Sequence, residues 1–261
     1  MPWPTAVATY RTALHAAGRS PGTVRLHLHY LRHVARYAPD PWAATTAQLT
    51  AALGARPEWA PETRKSCRST VAAFYRWAYL AGYVEGDPTR GLPIVKVPVG
   101  VPRPAPDTAL AAALAVADHR TRLMLLLAAR EGLRVSEIAR VHTDDLVAGV
   151  LFVTGKGGKT RPIPVLSREL VAAIEAAGGW LFPGQVDGHL APATVTKLLS
   201  ATLPGRWTAH TLRHRFATRS NTAHPDLLAL CQVMGHSRPE TTQRYVLVPM
   251  DALRLVVEAA A

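Results

Sequence analysis

The 261-residue sequence predicts a mainly α-helical protein in two domains, the second carrying a small antiparallel β-hairpin and so of α+β type. Three observations predict this. Segments with apolar residues at helical spacing, bounded by caps and glycines, recur along both halves of the chain. Residues 93–106, PIVKVPVGVPRPAP, hold five prolines in 14 positions and no helical period, so they form an extended, semi-stiff linker between domains 1–92 and 107–261. The period changes to strand-like alternation once, around residues 150–165.

The elements follow in order. A first helix covers about Thr5–Ala17 and stops at Gly18. Ser20-Pro21 opens a second that reaches about Tyr37, with proline pre-set for the first turn. Thr45 or Thr46 caps a short helix to Leu53, and a longer helix runs from about Pro61 to Leu80, before Gly82. After the linker, Asp107 caps a helix to about Ala117. Another spans about Arg120–Glu131 before Gly132, and Ser136–Val141 makes a short helical turn. The pair Asp144-Asp145 starts a turn ahead of strands Val150–Thr154 and Thr160–Val165. Helices resume at about Arg168–Ala176, Ala193–Leu203, Leu212–Asn221 and Pro225–Met234. A helical turn at Thr241–Tyr245 and an apolar helix at Asp251–Ala260 close the chain.

Composition narrows the function. Thirty Lys and Arg against 18 Asp and Glu give a formal charge of +12, which suits a polyanionic partner, nucleic acid first, because each cation that neutralises a phosphate releases a counterion. Residues 1–95 hold 11 basic and 5 acidic residues and the remainder 19 and 13, so both domains carry the surplus and neither is a detachable basic tail. No apolar run is long enough to span a membrane, and the first residues lack the pattern of a secretory leader. Cys67 and Cys231 make no disulfide framework, which points to a reducing cytoplasm. His27, His29 and His33 lack the further ligands of a zinc site. Asp144-Asp145 is the only acidic pair, too little for a two-metal nuclease, and no nucleotide-binding P-loop is present. Neither a metal nor another cofactor is expected.

The chemistry concentrates in the second domain. Arg134, in GLRVSEI, follows a glycine stop and opens a helix, where its guanidinium can fork onto two oxygens of a phosphate. Lys156 and Lys159 sit at the glycine-rich tip of the hairpin, TGKGGKTRPIPV, with Arg161 beside them. His210 and Arg213, in HTLRHRFAT, share one helix face. His236 and Tyr245 lie in MGHSRPETTQRYV. Taken singly, His236 reads better as a surface histidine, the hairpin tip as a solvated loop and Tyr245 as a packed tyrosine. Their order is far more specific than any one of them.

In these motifs the chain resembles the tyrosine recombinases of the phage integrase family, and the first domain resembles that family's core-binding domain in GRSPGTVRLHLHYLRHVARY and before GYVEGDPTRGLP. The resemblance implies a site-specific recombinase that integrates or excises a phage or other mobile element. Tyr245 is then the nucleophile that becomes 3′-phosphotyrosyl, and Arg134 and Arg213 clamp the non-bridging oxygens. Lys156, with Lys159 as second choice, is the general acid for the leaving 5′-oxygen. His210 is the acid/base beside the tyrosine, His236 a hydrogen-bond donor to phosphate, and Glu137 orients Arg134 or His210. Arg25, Arg32, Arg64, Arg68, Arg76, Lys159 and Arg161 are expected on double-stranded DNA, held between the two domains.

That set of side chains suits the reaction. Without a metal, fixed cations must meet the charge of a pentavalent phosphorane, and arginine does not lose its proton. A phenol with a pKa near 10 needs a base or a strong positive field before it attacks. The resemblance further implies a homotetramer on two duplexes passing through a Holliday junction, an apolar segment Leu247–Ala261 that docks on a neighbouring protomer or on its own domain, and an excision or DNA-bending accessory protein. Helices begin near residue 5, so an arm-binding domain is not expected. Two alternatives stand beside this reading: a type IB topoisomerase, which usually has lysine where His210 stands, and a non-catalytic DNA-binding regulator.

Overall fold

The computed structural model describes residues 2–98, 102–155 and 157–235. The chain forms two compact units, residues 1–99 and 100–261. Among the described residues no helix is long and apolar enough to cross a membrane.

The first unit is a bundle of four helices: α1 (Trp3–Ala16), α2 (Pro21–Val34), α3 (Thr46–Gly54) and α4 (Pro61–Leu80). Prolines occupy the first turn of α1, α2 and α4, where no main-chain N–H is needed. Ser20 caps α2 through the N–H of Thr23, and Thr45 and Gln48 form a reciprocal capping box at α3. The core is aromatic. Trp3 stacks on Phe74 at 5.5 Å between ring centroids, and Tyr10 meets Phe74 edge-on at 5.2 Å. Each such pair adds about 0.5–1.5 kcal/mol to its burial. His33 bonds the Ala52 carbonyl at 2.8 Å and His27 the Tyr10 hydroxyl at 3.0 Å, so these two histidines serve the packing of the bundle. Burial pushes the Cys67 thiol up to about 12, which makes it a small core residue and not a nucleophile.

The second unit is built around α6 (His119–Ala129), of which Leu123–Ala129 is continuously buried. Around it stand α5 (Asp107–Val116), α7 (Val135–Ile138), α8 (Arg168–Ala176), α9 (Pro192–Thr202), α10 (Ala209–Ala223) and α11 (Leu227–Met234). A three-stranded antiparallel sheet runs β1 (Leu146–Val147), β2 (Val150–Thr154), β3 (Thr160–Pro164). Leu151 and Val153 of β2 lie opposite Ile163 and Arg161 of β3, and these four side chains are buried. A short strand β4 (Pro183–Val186) bridges to His189 outside this sheet.

Several expectations change. The hairpin gains a third strand, β1, joined to β2 by a two-residue turn at Ala148-Gly149. Both turn residues have positive φ, 48° and 78°, as a primed hairpin turn requires. Asp107 is not a cap: Pro106 holds the cap position, and the Asp107 carboxylate pairs instead with Arg215 and Arg219 of α10 at 2.6 and 2.5 Å. The proline-rich stretch is also anchored at both ends. Arg68 donates to the carbonyls of Leu92 and Pro93, while the Ala105 N–H bonds the Thr211 carbonyl at 3.0 Å beside a buried Ala105 side chain. Helix α10 starts at Ala209, not Leu212, because Thr208 caps it through the N–H of Thr211. The segments expected as helical at Thr241–Tyr245 and Asp251–Ala260 lie outside the described residues.

Candidate active site

The site grows from the helix stop at Gly132. This glycine has φ +64°, and a Cβ on it would lie 2.4 Å from the Phe216 ring. Only glycine permits both the turn and the approach of α10. Two residues on, Arg134 caps the short helix α7. Glu137, at the third position of that helix, accepts from the Arg134 main-chain N–H at 2.8 Å. The same carboxylate accepts from the Arg134 guanidinium at 2.8 Å.

Glu137 is the hub of the site. It is buried, and besides Arg134 it takes both terminal nitrogens of Arg161, at 3.0 and 2.8 Å, with Arg213 3.9 Å away. Burial alone would push its carboxyl up. The Arg161 hydrogen bonds, the Arg134 N–H and the facing guanidinium charges outweigh burial and hold it below the ordinary carboxylate range. One anion thus organises three permanent cations. Among the described residues the cluster has a net charge of two positive units, which suits a phosphodiester and the charge it gains at the transition state.

Arg161 corrects an expectation. Predicted on DNA, it is buried, and its Nε donates to the Val233 carbonyl at 2.7 Å. Its guanidinium therefore ties the sheet to α11 and to Glu137. Gly235, with φ +58°, ends α11 against it, since a Cβ there would lie 2.9 Å from an Arg161 nitrogen. The Gly235 carbonyl accepts from Arg134 at 3.1 Å, and Arg213 donates to the carbonyls of Gly132 and Met234. Both arginines expected at the phosphate are thus locked to the backbone at both edges of the site. Locked cations need no reorganisation when charge develops.

His210, in the first turn of α10, completes the described part. With Leu133, Arg134, Ser136, Thr196 and Arg213 it lines a cleft of about 610 Å³. Desolvation, then Arg213 and Arg134, hold its ring below the usual histidine range, so it is neutral at neutral pH. One helical turn on, His214 places its Nε2 2.8 Å from the Nε2 of His210. His214 was not among the residues expected at the site, although its four-residue spacing from His210 was the signal.

The structure thus brings together Arg134, Glu137, His210 and Arg213. Of the two partners expected for Glu137, its contacts are to Arg134. Lys156, His236 and Tyr245 lie outside the described residues. Lys159 is exposed at the hairpin tip, behind Gly157 and Gly158. In the first unit Arg25, Arg32 and Arg76 are exposed. Arg64 instead donates to the Pro57 and Trp59 carbonyls, and Arg68 holds Leu92 and Pro93. A groove of about 810 Å³ in this unit has Arg19, His27, Arg68, Arg76 and Trp77 among its walls, which adds Arg19 to the candidate cations. Among the described residues no group of histidine, cysteine or acidic side chains could hold a metal.

Residues 107–250, which contain every motif of this site, match the phage integrase family. The chain belongs to that family. This tyrosine recombinase is 37% identical to the tyrosine recombinase XerC of Rhodospirillum centenum over 223 residues, 76% of this chain and 65% of that protein's length. It is 31% identical to XerC of Methylobacterium sp. over 296 residues, 98% of this chain and 92% of that one. Among solved structures, the recombinase resembles lambda integrase residues 75–356, crystallised as a dimer bound to a COC′ core site, with a TM-score of 0.77 at 20% identity over 94% of this chain and 95% of that one. It also resembles the XerH recombinase bound to a palindromic difH substrate, with a TM-score of 0.70 at 19% identity over 91% and 79%. These two likenesses establish the shared fold.

Proposed function

We propose that this recombinase cuts and rejoins double-stranded DNA at specific sites through a covalent 3′-phosphotyrosyl intermediate. The Tyr245 phenol oxygen attacks the scissile phosphorus and its proton departs. The bond from phosphorus to the 5′-oxygen breaks, and that oxygen takes a proton from Lys156, with Lys159 as the alternative donor. A 5′-hydroxyl from a second strand then attacks the phosphotyrosine, releases Tyr245 and closes the new joint. The phosphoester is conserved throughout, so the reaction needs no nucleotide. Arg134 and Arg213 bind the non-bridging oxygens, His236 donates a further hydrogen bond, His210 acts beside the tyrosine oxygen, and Glu137 fixes the arginines.

The observation that carries this reading is the single cleft on which Arg134, Arg213 and His210 converge, with Glu137 behind the two guanidiniums. Exposed arginines of the first unit and Lys159 of the second supply DNA contacts. Four protomers exchanging strands on two duplexes, through a Holliday junction, are what the family resemblance implies for this scheme. Lambda integrase has been crystallised as a tetramer on such a junction. The apolar C-terminal segment docks on a neighbouring protomer in this scheme, an accessory bending or excision protein sets direction, and the reaction takes place in the cytoplasm.

Integration and excision of a mobile element is the use proposed from the motifs. A second reading, a Xer-type recombinase acting on a short chromosomal site, is favoured by the name XerC that the similar curated proteins carry. The testing experiment places the DNA flanking the gene on a supercoiled plasmid. Recombinant products and a four-way junction confirm the proposal, and the cut positions tell the two uses apart. Relaxation of any plasmid, with no junction, would make the protein a type IB topoisomerase.

A further inference from the structure

The cleft holds one arrangement that the proposed roles do not use. Two contacts of His214 differ in character. Its Nδ1 faces the main-chain N–H of Arg103 at 3.2 Å, and its Nε2 faces the Nε2 of His210 at 2.8 Å. A main-chain N–H can only donate, so the His214 Nδ1 must present its lone pair. A neutral His214 then carries its proton on Nε2 and gives that hydrogen bond to His210. The His210 Nε2 is therefore an acceptor, and the proton of a neutral His210 sits on Nδ1.

We infer that His214, set by the Arg103 main chain, is a positioning residue that locks His210 in the Nδ1–H tautomer and brings it to the DNA phosphate or tyrosine oxygen as a neutral hydrogen-bond donor, not as a base. The inference rests on the recombinase reading above and refines the acid/base role expected for His210.

The surroundings agree with it. A proton added to the Nε2 of His210 would meet the N–H of His214 head-on. A proton added to the Nδ1 of His214 would meet the N–H of Arg103. Among the described residues, the charged groups facing the pair, Arg134 and Arg213, are both cations and oppose either protonation. Desolvation, then His210 and Arg213, take the His214 ring down to about 4. The phenolic proton of Tyr245 then leaves to solvent under the field of the two arginines. The His210 nitrogen with its lone pair is already occupied.

The test uses the full chain labelled with ¹⁵N-histidine, with His210→Gln and His214→Gln spectra to assign the two rings. At pH 7 the inference requires a neutral His210 protonated on Nδ1 and a neutral His214 protonated on Nε2. Either ring in the other tautomer, or a charged His210, overturns it. Cleavage of nicked DNA gives a second readout. His214→Phe frees the His210 tautomer, and cleavage at pH 7.5 falls about tenfold, equivalent to about 1.4 kcal/mol. The loss recovers only as pH falls below the ordinary histidine range, where an imidazolium donates from both nitrogens. His214→Gln, which retains an N–H donor, stays within a few-fold of wild type. A defect of equal size at every pH, or a Gln variant as poor as Phe, overturns the inference. The spectra do not depend on turnover, so failure of the wild-type protein to cleave DNA would remove the recombinase reading and leave the tautomer result standing.

Discussion

Arg161 and Glu137 meet as a fork on a fork, with two parallel hydrogen bonds of 3.0 and 2.8 Å between buried groups 24 residues apart. The pair joins β3 to α7, and through Glu137 it sets the guanidinium of Arg134. Removing one partner strands the other charge. Glu137→Gln, measured by urea denaturation, is expected to lose about 3–5 kcal/mol, and DNA cleavage should fall further than the unfolded fraction explains. The carboxyl of Glu137 is held below its ordinary value, so its contribution is complete above the unfolded pKa and is lost as pH falls through the lower, folded one. Wild-type stability should therefore drop on acidification below about pH 4, and the variant should lack that component.

Glu131 predicts the opposite slope. It is buried, and burial raises its carboxyl to about 7 despite the neighbouring Arg130. The folded state holds this proton longer than the unfolded chain, so stability declines as pH rises from about 4.3 to 7. Glu131→Gln should flatten that decline and add about 2–3 kcal/mol at pH 8. Denaturation series at pH 5 and pH 8 decide it; equal shifts at both would show that the carboxyl is charged in the fold.

Ala148 holds φ 48° in the turn between β1 and β2. An L-residue with a Cβ is strained there, and asparagine tolerates the conformation better. Ala148→Asn should stabilise the protein by about 0.5–1 kcal/mol and raise its melting temperature by a few degrees. An unchanged or lower melting temperature would argue against the left-handed turn.

The arginines of the first unit separate by partner. Arg25, Arg32 and Arg76 are exposed, whereas Arg64 and Arg68 hold main-chain carbonyls. Alanine at each of the first three should make the plot of log affinity against log salt shallower by about 0.9 for every phosphate the protein no longer neutralises, with stability unchanged. Arg68→Ala should instead lower stability by about 1 kcal/mol. A salt slope unchanged by all three exposed substitutions would place DNA elsewhere.

Much of this fold was readable from local signals. Pro61 and Gly82 bracket α4, and Ser167 and the apolar spacing after it define α8 at the residues expected. β1 was missed because a two-residue strand has no period and because Ala148 stands where asparagine or glycine would announce the turn. Arg161 was misread because it follows a glycine-lysine tip that looks made for DNA. The two-residue alternation of β3 carried the correction: Arg161, Ile163 and Val165 share the buried face, while Thr160, Pro162 and Pro164 point outward. The hub role of Glu137 depended on contacts across 24 residues, which no local pattern contains. Arg134 was legible as the residue that opens α7 after the Gly132 stop, whereas the start of α10 was placed at Leu212, three residues late, because Thr208 gives its cap no acidic or glutamine partner three residues on.

The proposed chemistry turns on Tyr245. Wild-type protein and Tyr245→Phe are each incubated, in the presence of a chelator, with nicked duplexes drawn from the flanks of the gene, and protein-linked DNA is read on a denaturing gel. Wild type is expected to form a covalent species that a tyrosine-phosphodiesterase removes, while the phenylalanine variant binds the same duplex and forms none. Full-strength adduct from the variant, or a wild-type reaction abolished by the chelator, would contradict the account.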